Sequence, residues 1–317
     1  MTASVRRSSA LPPEGRPAPG DLVLMAVGVL GVSTSGPLIA ATLVPALAIA
    51  FWRNALASGL LVPYALATRR DELRCLSRRT GLLAVLAGAL LALHFAAWIP
   101  SLRYTSVASS TALVCMQAVW STVFSRLTGT AVSRRAWVGL AVAVGGVLVL
   151  TGVDVSLSGD ALLGNGLALL GGVFSGAYVV VGGTVRRTMS TTAYTSVCYL
   201  VCALLLLLVC VATGSALWGY AGWDWGRLAA LTLAAQLLGH SVFNTVLRRV
   251  SPTVVSLAIL IEVPGAALLA AMFLGQVPPL AAVPALAMIL LGIALVISAQ
   301  GSAMARRGQT EVVAEAP

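Results

Sequence analysis

Four ionisable side chains stand inside long apolar stretches of this sequence, at Arg53, His94, His240 and Glu262. The two histidines, in ALLALHFAAW and QLLGHSVFN, are the only ones in the chain and lie 146 positions apart. If these stretches cross a membrane, each charged group costs about 2.5–3.5 kcal/mol on insertion scales, so it usually faces a cavity or a partner. All four are therefore candidates for binding a solute or a proton.

Glu262 lies in the middle of its apolar stretch, and Pro264 two residues later removes a backbone N–H and bends a helix. A carboxyl group at that depth is suited to binding a proton or a cationic solute, because intramembrane acids usually mark transport pathways. The alternative is a structural acid that pairs with Arg53 or with a histidine.

Arg53 carries a planar guanidinium that binds carboxylates or phosphates through two parallel hydrogen bonds. It therefore is a candidate for attracting an anionic group of a solute. A structural pair with Glu262, or bonds to helix-end carbonyls, is the competing interpretation.

One helical turn after each histidine comes a second polar side chain, Trp98 after His94 and Asn244 after His240. Such pairs can orient a flat or amphipathic solute by stacking and hydrogen bonding, whereas a simple interhelical hydrogen bond is the alternative for either histidine. Two further polar residues in apolar stretches, Gln117 and Tyr178, complete the predicted solute site. Its residues are Arg53, His94, Trp98, Gln117, Tyr178, His240 and Asn244, with Glu262 as the proton-coupling group.

The elements that position these residues are membrane-spanning helices. The chain has 317 residues, of which 59% are hydrophobic and 9% charged, and its mean hydropathy is +0.96, which is typical of a polytopic membrane protein. A span needs about 20 mostly apolar residues. Ten segments meet that requirement, at about 22–42, 45–67, 81–102, 106–126, 136–152, 163–184, 192–213, 228–247, 253–274 and 280–299.

The positive charges predict the orientation of these spans. All 20 basic residues are arginines, and cytoplasmic loops carry the excess of positive charge in membrane proteins. A cytoplasmic N-terminus places 17 of the 20 arginines inside, leaving Arg103 and Arg227 in external loops and Arg53 within a span. We expect a multi-pass protein of the inner membrane with both termini cytoplasmic. The net charge of +10 then reflects topology, and nucleic-acid binding is a poor explanation of it.

An internal repeat explains the spacing of the histidines. A shift of 146 residues places His94 on His240 and Arg103 on Arg249. Because each half holds five spans, an odd number, the second half enters the membrane from the opposite side. The predicted fold is an all-α membrane protein of ten transmembrane helices in two inverted five-helix repeats, as in many secondary transporters. Its parts are a cytoplasmic N-tail (1–21), a first repeat (22–152), a second repeat (163–299) and a cytoplasmic C-tail (300–317).

Four local patterns stand out: FWRN (51–54), YTSVASSTAL (104–113), GLAVAVGGVLVLTGVD (139–154) and LGHSVFNTVLRRVSPTVVSLAILIEVPGAALLAAMFLGQ (238–276). With these patterns the chain resembles the drug/metabolite transporter superfamily and its EamA-type members. The resemblance implies a carrier of small molecules with a central cavity lined by spans one to four and six to nine. We expect a secondary transporter that exports a small metabolite or drug-like solute and is coupled to protons. An uptake permease of the same fold is the alternative, and an integral-membrane enzyme with a histidine base is a weaker one.

Common enzyme motifs are missing from the sequence, which has no Walker loop, HExxH or GxSxG. The five cysteines form no CxxC pair, so we expect neither a metal site nor a cofactor. The expected partners are the lipid bilayer, the solute and protons. Gly172 and Gly176 form a small-xxx-small pattern, which favours close helix contact within the bundle and is also compatible with a homodimer.

Overall fold

Every regular secondary-structure element that the computed structural model describes is a helix. Its helices begin and end close to the predicted apolar segments, because a backbone in hydrocarbon must bond its own polar groups. The described residues are 18–127, 132–186, 188–239, 242–243, 246 and 258–314, with side chains omitted at 125, 155–157 and 300–314.

Up to residue 239 the helices follow one another along the chain with connections of at most nine residues. The eleventh continues directly as a π-helical segment, Thr232–Gly239. In chain order they are α1 (Pro19–Ser33), α2 (Ser35–Ala41), α3 (Ala46–Thr68), α4 (Arg70–Arg74), α5 (Arg78–Ser101), α6 (Val107–Val114), α7 (Gln117–Leu127), α8 (Arg134–Leu157), α9 (Ala161–Val185), α10 (Thr191–Ala212), α11 (Gly222–Leu231), α12 (Glu262–Leu274) and α13 (Ala282–Ala314).

Among the described residues, eight helical stretches are long and apolar enough to cross a membrane, as expected of a multi-pass membrane protein. They match the first seven predicted spans and the tenth. The predicted eighth span, 228–247, starts in a helix that begins earlier, since α11 starts at Gly222 and includes Arg227. The predicted ninth span is described from residue 258, and its apolar helix α12 has 13 residues.

Interruptions divide three of the predicted spans near the middle of the bundle. α1 and α2 are separated at Thr34, whose hydroxyl bonds the Gly31 carbonyl oxygen at 2.7 Å. α6 and α7 are separated by a turn at residues 115–116, and a similar turn at 260–261 precedes α12. The last two turns lie 145 positions apart, within one residue of the shift that relates the histidines. Hydropathy does not reveal these interruptions.

Helices from the two halves of the chain pack against each other in pairs. The most extensive contacts join α8 to α13, α5 to α9 and α3 to α10, while α1 packs on the π-helical segment. Glycines allow the closest approaches: a Cβ added at Gly139 of α8 would lie 2.7 Å from the Gly292 carbonyl oxygen of α13. Gly172 and Gly176 of α9 likewise face α6 and α7, so this small-residue pattern is used inside the chain.

One end of the bundle is held together by bonds between its loops. We call it the Arg103 end; it carries loops 42–45, 102–106 and 213–221 and the turn at 275–276. Arg103 Nη2 donates to the carbonyl oxygens of Thr42 and Val44 at 2.7 and 2.9 Å. The backbone N–H of Val107 donates to Gln276 Oε1 at 3.1 Å. These bonds fix the helix ends between which the central residues lie.

Candidate functional site

Arg53 is the most deeply buried charged residue that the structure describes, with 1% of its surface exposed. It projects from α3 toward the π-helical segment. Its Nε and Nη2 groups both donate to Gln236 Oε1, at 2.9 and 2.6 Å. Gln236 Nε2 in turn donates to Asn54 Oδ1 at 3.3 Å. A buried chain of polar side chains therefore connects α3 to the helix that starts as α11.

Other elements surround the guanidinium with weaker contacts. Its Nη1 lies 3.4 Å from Ser35 Oγ, at the start of α2. The Phe95 ring of α5 covers one face, 4.3 Å from the guanidinium carbon, which is a cation–π arrangement. Tyr199 and Cys202 of α10 are within electrostatic range. Five helices thus converge on one positive charge.

Glu262 is the first residue of α12, directly after the turn at 260–261. Its side chain is half-buried and lies within electrostatic range of Arg53 and of the Cys115 thiol in the turn between α6 and α7. The two charges form no ion pair: in the described part of the chain, the single contact of that kind within 4 Å joins Arg227 Nη1 to Asp224 Oδ1 at 3.1 Å. The direct Arg53–Glu262 ion pair of the alternative interpretation is therefore not formed in this structure.

His94 is buried on α5 and bonds across to α9. Its Nδ1 lies 2.9 Å from the carbonyl oxygen of Gly171, so the ring donates there when Nδ1 carries the proton. The ring stacks on Trp98, with centroids 5.7 Å apart and planes 12° from parallel. The Trp98 Nε1 group is buried and has no hydrogen-bond partner among the described residues. The alternative interpretation of His94, an interhelical hydrogen bond, is thus present, and Trp98 retains an unused donor.

Gln117 and Tyr178 lie along the contact between α7 and α9. Gln117, the first residue of α7, accepts a short hydrogen bond from Ser175 Oγ. Tyr178 follows Ser175 by nearly one turn on α9, and its ring stacks on Tyr194 of α10 at 6.4 Å. Both side chains are partly buried at contacts between helices, and their role in lining a solute site stays a prediction.

Arg53 and His94 are connected through one shared ring, that of Phe95. Phe95 covers Arg53 and also lies 4.7 Å from the His94 ring, measured between centroids. The predicted residues His240 and Asn244 lie outside the described residues. Gln236 and Asn54 were not predicted, although a long amide four residues before His240, in QLLGHSVFN, carries the same signal that identified Gln117.

The chain is similar to one known protein family and to a solved structure. A model described as the EamA-like transporter family matches residues 19–152 and again residues 162–298. The chain belongs to the EamA-like transporter family. A solved structure titled "Crystal structure of protein" is similar over 87% of this chain and 96% of that one, with a TM-score of 0.61 and 17% sequence identity. At that identity the likeness concerns the EamA-like fold alone. A comparison with curated proteins gives no match.

Proposed function

We propose that this EamA-like protein is a secondary transporter that exports a small metabolite or drug-like solute across the inner membrane and is coupled to protons. Family membership supports transport of small solutes. A gradient is the energy source that remains, because the sequence contains no nucleotide-binding loop. The solute would bind between Arg53, the His94–Trp98 pair and the Gln117–Tyr178 contact.

Two observations support ten spans in inverted repeats. The family model matches two successive segments of similar length. In addition, the helix contacts occur in equivalent sets: α5 packs on α9 as the π-helical segment packs on α1, and α7, which follows the turn at 115–116, packs on α9 as α12 packs on α1. A two-fold relation between the halves predicts such pairs, and rocking of one half against the other gives alternating access.

The observation that carries the proton coupling is that Glu262 is not used as a structural counter-ion. Arg53 bonds the neutral amide of Gln236 instead, so the carboxyl group of Glu262 is available to gain and lose a proton. Its position after a helix interruption at mid-depth is typical of ion-coupling groups in transporters. Protonation would remove its attraction to Arg53 and thereby favour one arrangement of the two halves.

The test uses purified protein in liposomes that enclose a pH-sensitive dye. Amino acids, nucleosides, sugars and cationic drugs are added in turn, and we expect at least one class to drive proton movement through the unmodified protein. Glu262→Gln should retain exchange of that solute without a gradient and lose its gradient-driven accumulation. Asp160→Asn, which removes the same charge in an exposed turn, is the control. Full gradient-driven transport by the Glu262→Gln protein would contradict the coupling role.

A further inference from the structure

The Nε–Nη2 edge of Arg53 is directed at a single uncharged oxygen. Both donors bond Gln236 Oε1, at 2.9 and 2.6 Å. This edge is the one that matches a carboxylate, whose two oxygens accept the two parallel N–H bonds. One amide oxygen therefore occupies the position in which an anion with two oxygens would bind better.

The charge of Arg53 is also incompletely satisfied. A guanidinium has five N–H donors, and the structure gives three hydrogen bonds, two to Gln236 and a long one to Ser35. No acidic side chain of the described residues lies within ion-pair distance of it. A buried charge with neutral partners destabilises the state that contains it. An anion that enters here would therefore gain more than it gains from an ordinary buried ion pair.

Gln236 lies in a segment whose hydrogen bonding is already unusual. Thr232–Gly239 is π-helical, and π-helical turns are rare and occur frequently at functional sites. The second bond of the Gln236 amide, to Asn54 Oδ1, is long at 3.3 Å. The amide also bonds the Tyr199 hydroxyl of α10, and its two shortest bonds are those to Arg53. Because a carboxamide and a carboxylate have the same planar shape, the space beside Arg53 fits a carboxylate without a new guanidinium position.

We propose that a carboxylate of the transported solute displaces the Gln236 amide from Arg53, and that Gln236 is the positioning residue that holds the guanidinium while the site is empty. This proposal rests on the proposed transport function and names its solute class, organic acids with a planar carboxylate. Displacement also removes the two shortest polar bonds between α3 and the π-helical segment.

The test measures the thermal stability and solute binding of the purified full-length protein. Benzoate, benzamide and inorganic phosphate are the probes, because benzamide keeps the shape of benzoate without its charge and phosphate offers a tetrahedral anion. We expect benzoate to bind at least about tenfold more tightly than benzamide or phosphate. Gln236→Glu supplies a carboxylate to Arg53 from within the chain, so it should raise the melting temperature and remove benzoate binding. Gln276→Glu makes the same change at the Arg103 end and should leave benzoate binding unchanged.

Equal binding of benzoate and benzamide by the unmodified protein would overturn the proposal, whatever the fate of the variants. Tighter binding of phosphate would overturn the carboxylate assignment. Undiminished benzoate binding by Gln236→Glu would show that the anion binds elsewhere. Because these are equilibrium measurements without a proton gradient, failure of proton coupling in liposomes would leave them unaffected. Conversely, proton-coupled transport of an uncharged or cationic solute, together with absent benzoate binding, would overturn this inference alone.

Discussion

The indole Nε1 of Trp52 donates a 2.9 Å hydrogen bond to the carbonyl oxygen of Leu217, in the loop that leads into α11. The Trp52 ring also lies edge-on to Trp218 and Trp225, at 4.7 and 4.9 Å between centroids. Its sequence neighbour Arg53 bonds Gln236 further along the same helix. α3 is therefore bonded at two depths: to the loop before α11 at the Arg103 end, and to the π-helical segment after α11 in the interior.

Trp52→Phe keeps an aromatic ring and removes the donor to Leu217. We expect hydrogen exchange of the amides in loop 213–221 to become about two- to tenfold faster, the factor that corresponds to losing one ordinary hydrogen bond. Trp218→Phe is the matched control, because Trp218 is 68% exposed. Equal acceleration in both variants would indicate that the ring contacts, and not the bond to Leu217, hold the loop.

The hydrogen bond between His94 and Gly171 allows a structural role of His94 to be tested separately from a role in transport. His94→Asn retains an N–H donor near the position of Nδ1 and should fold with nearly unchanged thermal stability. His94→Leu leaves the bond to Gly171 unmade, and we expect a destabilisation of about 1–3 kcal/mol. The measurement is the melting temperature of each purified variant. Unchanged stability of His94→Leu would contradict a structural contribution of this bond, and solute-driven flux would then be measured for both variants.

The contact between α8 and α13 has no room for a side chain at Gly292, where an added Cβ would lie 2.6 Å from the Gly139 carbonyl oxygen. Gly292→Val should therefore destabilise the protein by at least about 1–3 kcal/mol, as overpacking does elsewhere. Gly152→Val is the control, since a Cβ there meets no atom within 4 Å. The measurement is the thermal unfolding of the two variants. Equal melting temperatures would show that α8 and α13 adjust without strain.

The proposed orientation is tested with reporters fused at loops of opposite expected side. A reporter after residue 300 and another near Leu73 should both lie in the cytoplasm, whereas one near Ser158 should lie outside. The distribution of the arginines is the physical reason. An external signal near Leu73 would reverse the orientation and place the Arg103 end in the cytoplasm.

The sequence predicted the positions of most helices because a span leaves a strong apolar signal. α3 begins and ends within one residue of its predicted segment, 45–67. The interruptions at Thr34 and 115–116 were not predicted, since they depend on packing between helices instead of on composition. Packing between helices also determines the partner of Arg53. Glu262 was the natural choice by charge, but the fold brings Gln236 closer, and only tertiary contacts decide between the two.

The glycine contact between α8 and α13 forms late in synthesis, because α13 is the last described helix of the chain. α8 is complete well before α13 is synthesised, by a delay on the order of ten seconds at about 5–20 residues per second. Throughout that interval Gly139 and Gly146 have no partner helix, because their contacts lie with Gly292 and with Ala285 and Ile289. α8 therefore lacks its main packing partner until the last helix is made. If translation stops before α13, the contact between α8 and α13 cannot form.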